Sequence, residues 1–555
     1  MLGIILLLIL GFFFYHCYWK RRNLPPGPMP LPFIGNLHIM AFHEPGYSAF
    51  EMWRRKYGPI YTYWIGHYPF VVFSDYPNIK KTFIQDGEAY QNKFNFEEMT
   101  KMYRGGSYGV VETNGYQWKE HRRFIIHQLR EFGLGKNVME ERVMTEVDHL
   151  LNSLSELAAT GEQVKIQDLI DVGVGNVINQ LLFGYRFDEK TSEEFFHLKG
   201  LISRQMQDFS SPIAFLLIAY PWLRMVIPYF NRMYDLIIFY KTSFYDFFKK
   251  QIDDHEKHID YSSTTSTDYV DAYLKEKKRR EDEGDTESFS YIQLSNLCLD
   301  LWMAGMETTS NTLAWGFAFI LHHPEVQDKI QSELDKVIGS GRDITMADKT
   351  DLIYCNAVIN EVQRMANLLP MNLLHQTSRP VEVEGYQLEA GTGVLAQIST
   401  VLFDKDVFPE PEKFNPDRFI DKDGKLKKVD ELVPFSIGKR QCLGEGLARM
   451  ELFLFTANIF NRYRVSVCGD KPDLKKRYGV TVQPASEERA QVDVLPDVGL
   501  TNRKIAEKLG RSRNVINNFE AYHPGALKAA DSAGTTTKPS KRLPKQECTK
   551  NWVAL

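Results

Sequence analysis

Residues 435–445 read Phe435-Ser-Ile-Gly438-Lys-Arg440-Gln-Cys442-Leu-Gly444-Glu445, and an apolar, alanine-containing helical pattern follows from Leu447 to Ile459. A lone cysteine is usually a small buried hydrophobe. This one is flanked by glycines that permit a tight turn and let a flat group approach the backbone. It stands just before a helix amino terminus, where free N–H groups and the helix dipole favour a thiolate over a thiol. Such a cysteine is a candidate metal ligand. The chain's six cysteines, Cys17, Cys298, Cys355, Cys442, Cys468 and Cys548, show no paired short spacings. That argues against a disulfide framework or a zinc ribbon and places the catalytic part in a reducing compartment.

Other stretches upstream carry chemistry of their own. Glu361-Val-Gln-Arg364 puts a carboxylate and a guanidinium three residues apart, on one helix face, where they can share a second arginine. By itself this is a common surface pair. Ala304-Gly305-Met306-Glu307-Thr308-Thr309 lies in a pattern from about Ser290 to His322 that is apolar nearly all round, which marks a buried helix. Gly305 removes a side chain where something must come close, and Glu307 with Thr308 sets an acid and a hydroxyl in apolar surroundings. The bland alternative is a helix whose threonine satisfies a backbone carbonyl. Trp118-Lys-Glu-His-Arg122 places an indole N–H and a guanidinium four residues apart on another helix face.

The spacing FxxGxxxCxG, filled by Phe435, Gly438, Cys442 and Gly444, resembles the haem-binding loop of the cytochrome P-450 monooxygenases. Glu361 to Arg364 resembles that family's ExxR helix, and Phe414-Asn-Pro416-Asp-Arg418-Phe419 its later arginine-bearing loop. The resemblance implies a mainly α fold with small β-sheets and a cofactor of haem b, iron protoporphyrin IX. It implies that Cys442 is the iron ligand, whose electron push favours O–O cleavage. It further implies a Glu361–Arg364–Arg418 structural network, propionate contacts from Trp118, Arg122, His375 and Arg440, and roles for Ala304, Glu307 and Thr308 beside the oxygen site. Thr308 matches the residue that helps to deliver protons there, and Glu307 is a permitted variant of aspartate. One departure is Leu374, where relatives commonly have proline before His375. The similarity covers about Leu24 to Ser486 and is closest to the microsomal, drug- and steroid-oxidising animal branch. It assigns the pocket lining to the loop between Phe94 and Tyr116, the region Met206 to Phe239, the central helix, Met371 to Leu374, and Tyr478 to Val482. That largely apolar lining implies a lipophilic substrate.

Length and composition agree with one large enzyme body. Of 555 residues, 43% are hydrophobic and 25% charged, which excludes a collagen-like, wholly disordered or polytopic membrane chain. The net charge of −4 excludes a general nucleic-acid binder. Residues 1–19 are apolar and uncharged and stop at Lys20, Arg21 and Arg22, long enough to span a bilayer with the basic side cytosolic. A cleaved secretory signal is the competing reading, but it calls for charge before the apolar run. The stretch 20–33 is a basic, proline-rich hinge, stiff and extended. From 34 to 486 runs a single domain, interrupted by low complexity only at Ser262 to Asp268. Ile60-Tyr-Thr-Tyr-Trp and Phe70-Val-Val-Phe alternate as strands do, and helical patterns dominate from about Thr113 to Ala366. Asp208 to Phe248, rich in aromatic and aliphatic residues, is either core or an apolar surface for membrane or ligand.

Lacking a flavin or dinucleotide motif, the chain is expected to take electrons from a membrane NADPH-cytochrome reductase, with cytochrome b5 as an optional partner. Lys119, Arg123, Arg130 and Lys439 form a candidate docking face. The expected location is the endoplasmic reticulum membrane, with the catalytic domain cytosolic. After Ser486 the family's closing strand is expected to be missing, with Glu487 to Leu495 a short helix in its place. Residues 487–522 resemble the first helix-turn-helix of mariner-type transposases, and 523–555 form a basic disordered tail. From Thr501 to Leu555 there are eleven lysines and arginines against four acidic residues. A nucleic-acid partner is nonetheless not expected, because a membrane anchor would hold the segment away from chromatin. The alternative function is a fusion product, inert or DNA-binding, whose altered carboxyl end impairs the haem domain.

Overall fold

A computed structural model of the chain describes residues 2–494, apart from 44–46, 135–136, 161–163, 468–470, 478 and 485–488. Of the helix-turn-helix reading of 487–522, everything from 495 on lies outside the described residues, as does the tail beyond it.

Among the described residues, helices make the body and four small sheets fasten its edges. The central helix runs unbroken over Tyr291–His322, capped by Ser290 Oγ on the Gln293 N–H. Its residues are apolar on nearly every face, and most of them are buried. Its closest companion is the helix Ile166–Phe183, and the helices Ile353–Ala366 and Glu445–Arg462 pack against it further along. One apolar core joins these helices to Pro228–His258 through Phe244, Phe247, Phe248 and Trp302.

The largest sheet is assembled from distant segments. Ile60–Ile65 and Tyr68–Phe73 form an antiparallel hairpin, and Gly393–Ala396 pairs parallel with the second strand. His375–Gln376 and then Asn92–Lys93 complete the five strands. The two predicted strands thus form where the alternation placed them. The carbonyl of Leu374, which stands where proline is common, accepts the Phe94 N–H at 3.2 Å.

Where a helix is expected over Glu487–Leu495, the described residues Arg489–Val494 form a strand instead. Arg489–Val494 pairs antiparallel with Tyr463–Val467 and with Val164–Lys165, closing a three-stranded sheet. A strand edge already waiting there decides the conformation over local propensity.

At the amino end, Leu2–Cys17 is helical, and the window Gly3–Arg21 is long and apolar enough to cross a membrane. Phe33 bridges it to the body, in ring contact with both Phe12 and Tyr220. The Asp208 to Phe248 stretch divides between core and exposed apolar surface. Ile237, Tyr240, Phe244, Phe247 and Phe248 are buried, whereas Trp222, Met225, Val226, Ile227 and Tyr229 are exposed beside Tyr220.

Candidate active site

Cys442 lies between a short 3-10 turn, Gly438–Arg440, and the helix Glu445–Arg462. Gly438 is obligatory. Its φ is +81°, and a Cβ there would sit 2.1 Å from the Phe83 carbonyl oxygen. Gly444 is different, because a Cβ there would meet nothing within 4 Å, leaving open space beside Cys442 on which a flat group can lie. Phe435 closes the loop's other flank beneath the Arg449 guanidinium, 4.9 Å from its ring centre. The Cys442 thiol is solvent-accessible, yet crowded enough by protein that desolvation pushes its pKa up, against the N–H groups of Gly444 and Glu445 that pull it down.

Ala304 is exposed and Thr308 half-exposed, although most of the central helix around them is buried. Thr308 Oγ1 donates to the Ala304 carbonyl at 2.6 Å, the backbone bond that the bland reading foresaw. Gly305 does not face a ligand: a Cβ there would lie 2.8 Å from Ile178 on the neighbouring helix, so helix packing is what demands glycine. Glu307 points into the protein. Its carboxylate accepts Lys199 Nζ at 2.8 Å, Asn311 Nδ2 at 2.8 Å and Gln483 Nε2. Its pKa is held down against burial by Lys199 first, then by these hydrogen bonds.

The propionate candidates converge. Trp118 and Arg122 project from one face of the helix Gly115–Glu131, and the Arg440 guanidinium lies 3.7 Å over the Trp118 ring. Arg122 donates to the Gln441 carbonyl at 2.7 Å and Arg440 to the Gln91 carbonyl at 2.7 Å. The Trp118 indole N–H is buried and has no acceptor among the described residues. His375 is buried in cross-strand register with Lys93; its Nδ1 reaches the Tyr90 carbonyl at 2.8 Å, and its Nε2 lies 2.6 Å from Lys93 Nζ. The carbonyl assigns the ring proton to Nδ1, so Nε2 accepts from the lysine.

Lys93 escapes sequence reasoning. Buried, and held far below its ordinary pKa by desolvation and then by Arg440 and Arg122, it has no carboxylate partner among the described residues. Burial and Lys93 push His375 down in turn, and burial and Arg122 push Arg440 down. Its only sequence signal is a lysine in a short strand-like run with no acid within reach. Three crowded cations and an orphaned indole N–H are the donor set that two carboxylates require, and the nearby accessible thiol supplies a soft ligand. The residues present fit a haem.

The family's supporting network is in place. Glu361, fully buried, accepts Arg364 Nε at 2.7 Å, Arg364 Nη2 at 2.9 Å, Arg418 Nε at 3.1 Å and the Asn415 N–H at 2.9 Å. This fixes the helix Ile353–Ala366 to the loop that leads toward Cys442. The model of the family "Cytochrome P450" matches residues 25–489. The chain belongs to the cytochrome P450 family. Cytochrome P450 2C11 of Rattus norvegicus is 34% identical over 462 residues, which cover 82% of this chain and 88% of the relative. Cytochrome P450 2C8 of Homo sapiens is 33% identical over 475 residues, covering 85% and 94%. Cytochrome P450 2J2 of Homo sapiens is 34% identical over 484 residues, covering 86% and 93%. As a cytochrome P450, the chain is a haem-thiolate monooxygenase.

Proposed function

We propose that this cytochrome P450 is anchored in the endoplasmic reticulum membrane and inserts one atom of dioxygen into a small lipophilic substrate, a xenobiotic, steroid or fatty acid. Its electrons come from an NADPH-cytochrome reductase, with cytochrome b5 as an optional second donor. The observation that carries the catalytic part is the meeting of an accessible Cys442 with Lys93, Arg122 and Arg440, none of which forms an ion pair with a described carboxylate, and with the Trp118 N–H, which has no acceptor among the described residues.

Cys442 would hold the iron of haem b, and Trp118, Arg122, Arg440 and Lys93 would hold its two carboxylates, with His375 orienting Lys93. When bound, the haem supplies oxygen activation, which a thiolate ligand promotes. Ala304 keeps the facing helix small where the substrate must approach. The Thr308 hydroxyl, half-exposed on the same face, can hold a proton at Oγ1 once it leaves the Ala304 carbonyl, and Glu307 lies next to it in the chain.

The apolar span at residues 3–21 supports anchoring, and the exposed Trp222 to Tyr229 surface beside Phe33 and Tyr220 supports contact with the same bilayer. Lys20, Arg21 and Arg22 after the span support a cytosolic body. Lys119, Arg123 and Arg130 are exposed on the helix that carries Trp118 and support docking of an acidic donor. The fusion-product alternative drew on a missing closing strand, and Arg489–Val494 removes that support. The test is a dithionite-reduced, carbon-monoxide difference spectrum of the membrane-bound protein. A Soret band at the thiolate position, lost in Cys442→Ser and kept in Cys355→Ser, is the expected result. A thiolate band that survives Cys442→Ser overturns the assignment.

A further inference from the structure

Two non-glycine residues in left-handed backbone meet at the start of the cysteine loop. Asn372 has φ +52° and Ser436 φ +59°. Asparagine enters that region readily and serine seldom, and residues held there mark places that the surrounding structure over-determines. The two lie 64 residues apart, and the Asn372 amide donates to Ser436 Oγ at 3.3 Å.

Asn372 is fixed before it reaches the loop. Its amide also donates to the Ala396 carbonyl at 2.8 Å, and its Oδ1 accepts the Leu373 N–H at 2.8 Å. Those two bonds settle which end of the amide is nitrogen, because a turned amide would set oxygen against a carbonyl. The Asn372 backbone N–H closes a turn onto the Leu369 carbonyl at 3.0 Å. Two residues back, the Pro370 carbonyl accepts the Gln397 amide and the Ser399 hydroxyl, the latter at 2.9 Å. The segment is thereby fastened to the end of the strand Gly393–Ala396, whose partner strand carries His375 and, one strand further, Lys93.

Ser436 passes this position on. The Phe435 carbonyl, directly before it, accepts the Cys442 N–H at 3.0 Å. The amino half of the loop, Phe435–Ile437, holds no other polar side chain, and the carboxyl half is tied separately by Arg440 to the Gln91 and Thr113 carbonyls. The loop is thus pinned on each side of Gly438.

We infer that Asn372 is a positioning residue for Cys442: through Ser436 and the Phe435 carbonyl it fixes the cysteine relative to the sheet that presents Lys93 and His375. The inference rests on the proposed haem site, because these are the two places at which the iron and the haem carboxylates would be held.

Fold stability and ligand placement respond differently, which separates a positioning role from a merely structural one. Glycine at 436 keeps the left-handed backbone without steric cost, so Ser436→Gly removes the acceptor and the strain together and changes the fold's stability little. The groups around a metal-bound sulfur, by contrast, set how firmly and at what angle it binds.

The experiment uses the haem-loaded protein, reduced and saturated with carbon monoxide. Asn372→Gly and Ser436→Gly are both expected to take up haem and to show the thiolate-position Soret band, which is then lost on warming about fivefold faster than in the unaltered protein. The double variant Asn372→Gly/Ser436→Gly is expected to lose it no faster than either single, since both remove one and the same bond. The C–O infrared band is expected to shift in the same direction in all three, while the urea midpoint of Ser436→Gly stays that of the unaltered protein. Equal decay rates and C–O bands in all four proteins overturn the inference, and so does a double variant whose factor is the product of the two singles. A Ser436→Gly midpoint that falls in step with its decay rate makes the bond merely structural and overturns it too. An unaltered protein whose thiolate band survives Cys442→Ser overturns instead the haem-site reading on which the inference stands. Where Asn372→Gly does not accumulate, Ser436→Gly tests the inference by its C–O band and its midpoint.

Discussion

Replacing Gly438 by alanine separates the geometry of the cysteine loop from its motif. The residue sits at φ +81°, where an L side chain costs roughly 1–2 kcal/mol. The added methyl would lie 2.1 Å from the Phe83 carbonyl oxygen, so one of the two segments must retreat by about 1 Å. Overpacking of that kind costs about 1–3 kcal/mol. Together these come to roughly 2–5 kcal/mol, a large part of the ~5–15 kcal/mol by which a domain is stable. The displacement falls on the loop that holds Cys442 and Arg440, and a misplacement of about 1 Å can lower kcat by about 10². Gly444→Ala is the internal control. Its φ is ordinary and its Cβ would meet no protein atom, so the apoprotein is expected to be unchanged or stabilised by about 0.4–1 kcal/mol. The assay is urea unfolding of both variants, with haem per protein and the reduced carbon-monoxide spectrum measured alongside. A Gly438→Ala protein with native midpoint, haem content and turnover refutes the reasoning.

Glu361→Ala is expected to cost about 3–5 kcal/mol by stranding two buried guanidinium groups, measured as a lowered denaturation midpoint. Glu451, buried and pushed up to about 8 by desolvation against a Thr309 hydrogen bond, carries a folded-state pKa above its unfolded one. The folded protein therefore binds the extra proton between the two values, and stability falls as pH rises through that window. Glu451→Gln is expected to flatten the fall in the denaturation midpoint between pH 6 and about 8; an unchanged slope counts against the assignment. Ending the chain after Ser486 removes the strand Arg489–Val494 and leaves the edges of Tyr463–Val467 and Val164–Lys165 unpaired, so the thermal midpoint is expected to drop, whereas ending it after Leu500 is expected to leave it unchanged. Equal midpoints for both truncations would mean that the strand contributes nothing.

The features that could be read without a structure are those set by local chemistry. The turn-then-helix at Cys442, the apolar run of the central helix, the alternation at Ile60–Ile65 and the three-residue spacing of Glu361 and Arg364 each follow from the period of one element, which neighbours in the chain determine. What lay beyond reach depends on which segment arrives from far away. Lys93 becomes part of the site only because a strand 282 residues on sets His375 against it. Gly305 answers to Ile178 and not to a ligand, because the neighbouring helix fills the space. Glu307 turns inward because a lysine on another helix offers it a charge in a place without water. Arg489–Val494, whose composition suited a short helix, becomes a strand because two edges with unsatisfied backbone groups were already in place. Burial, charge pairing and strand pairing are long-range interactions, and for these residues the tertiary structure alone decides what the side chain or backbone meets.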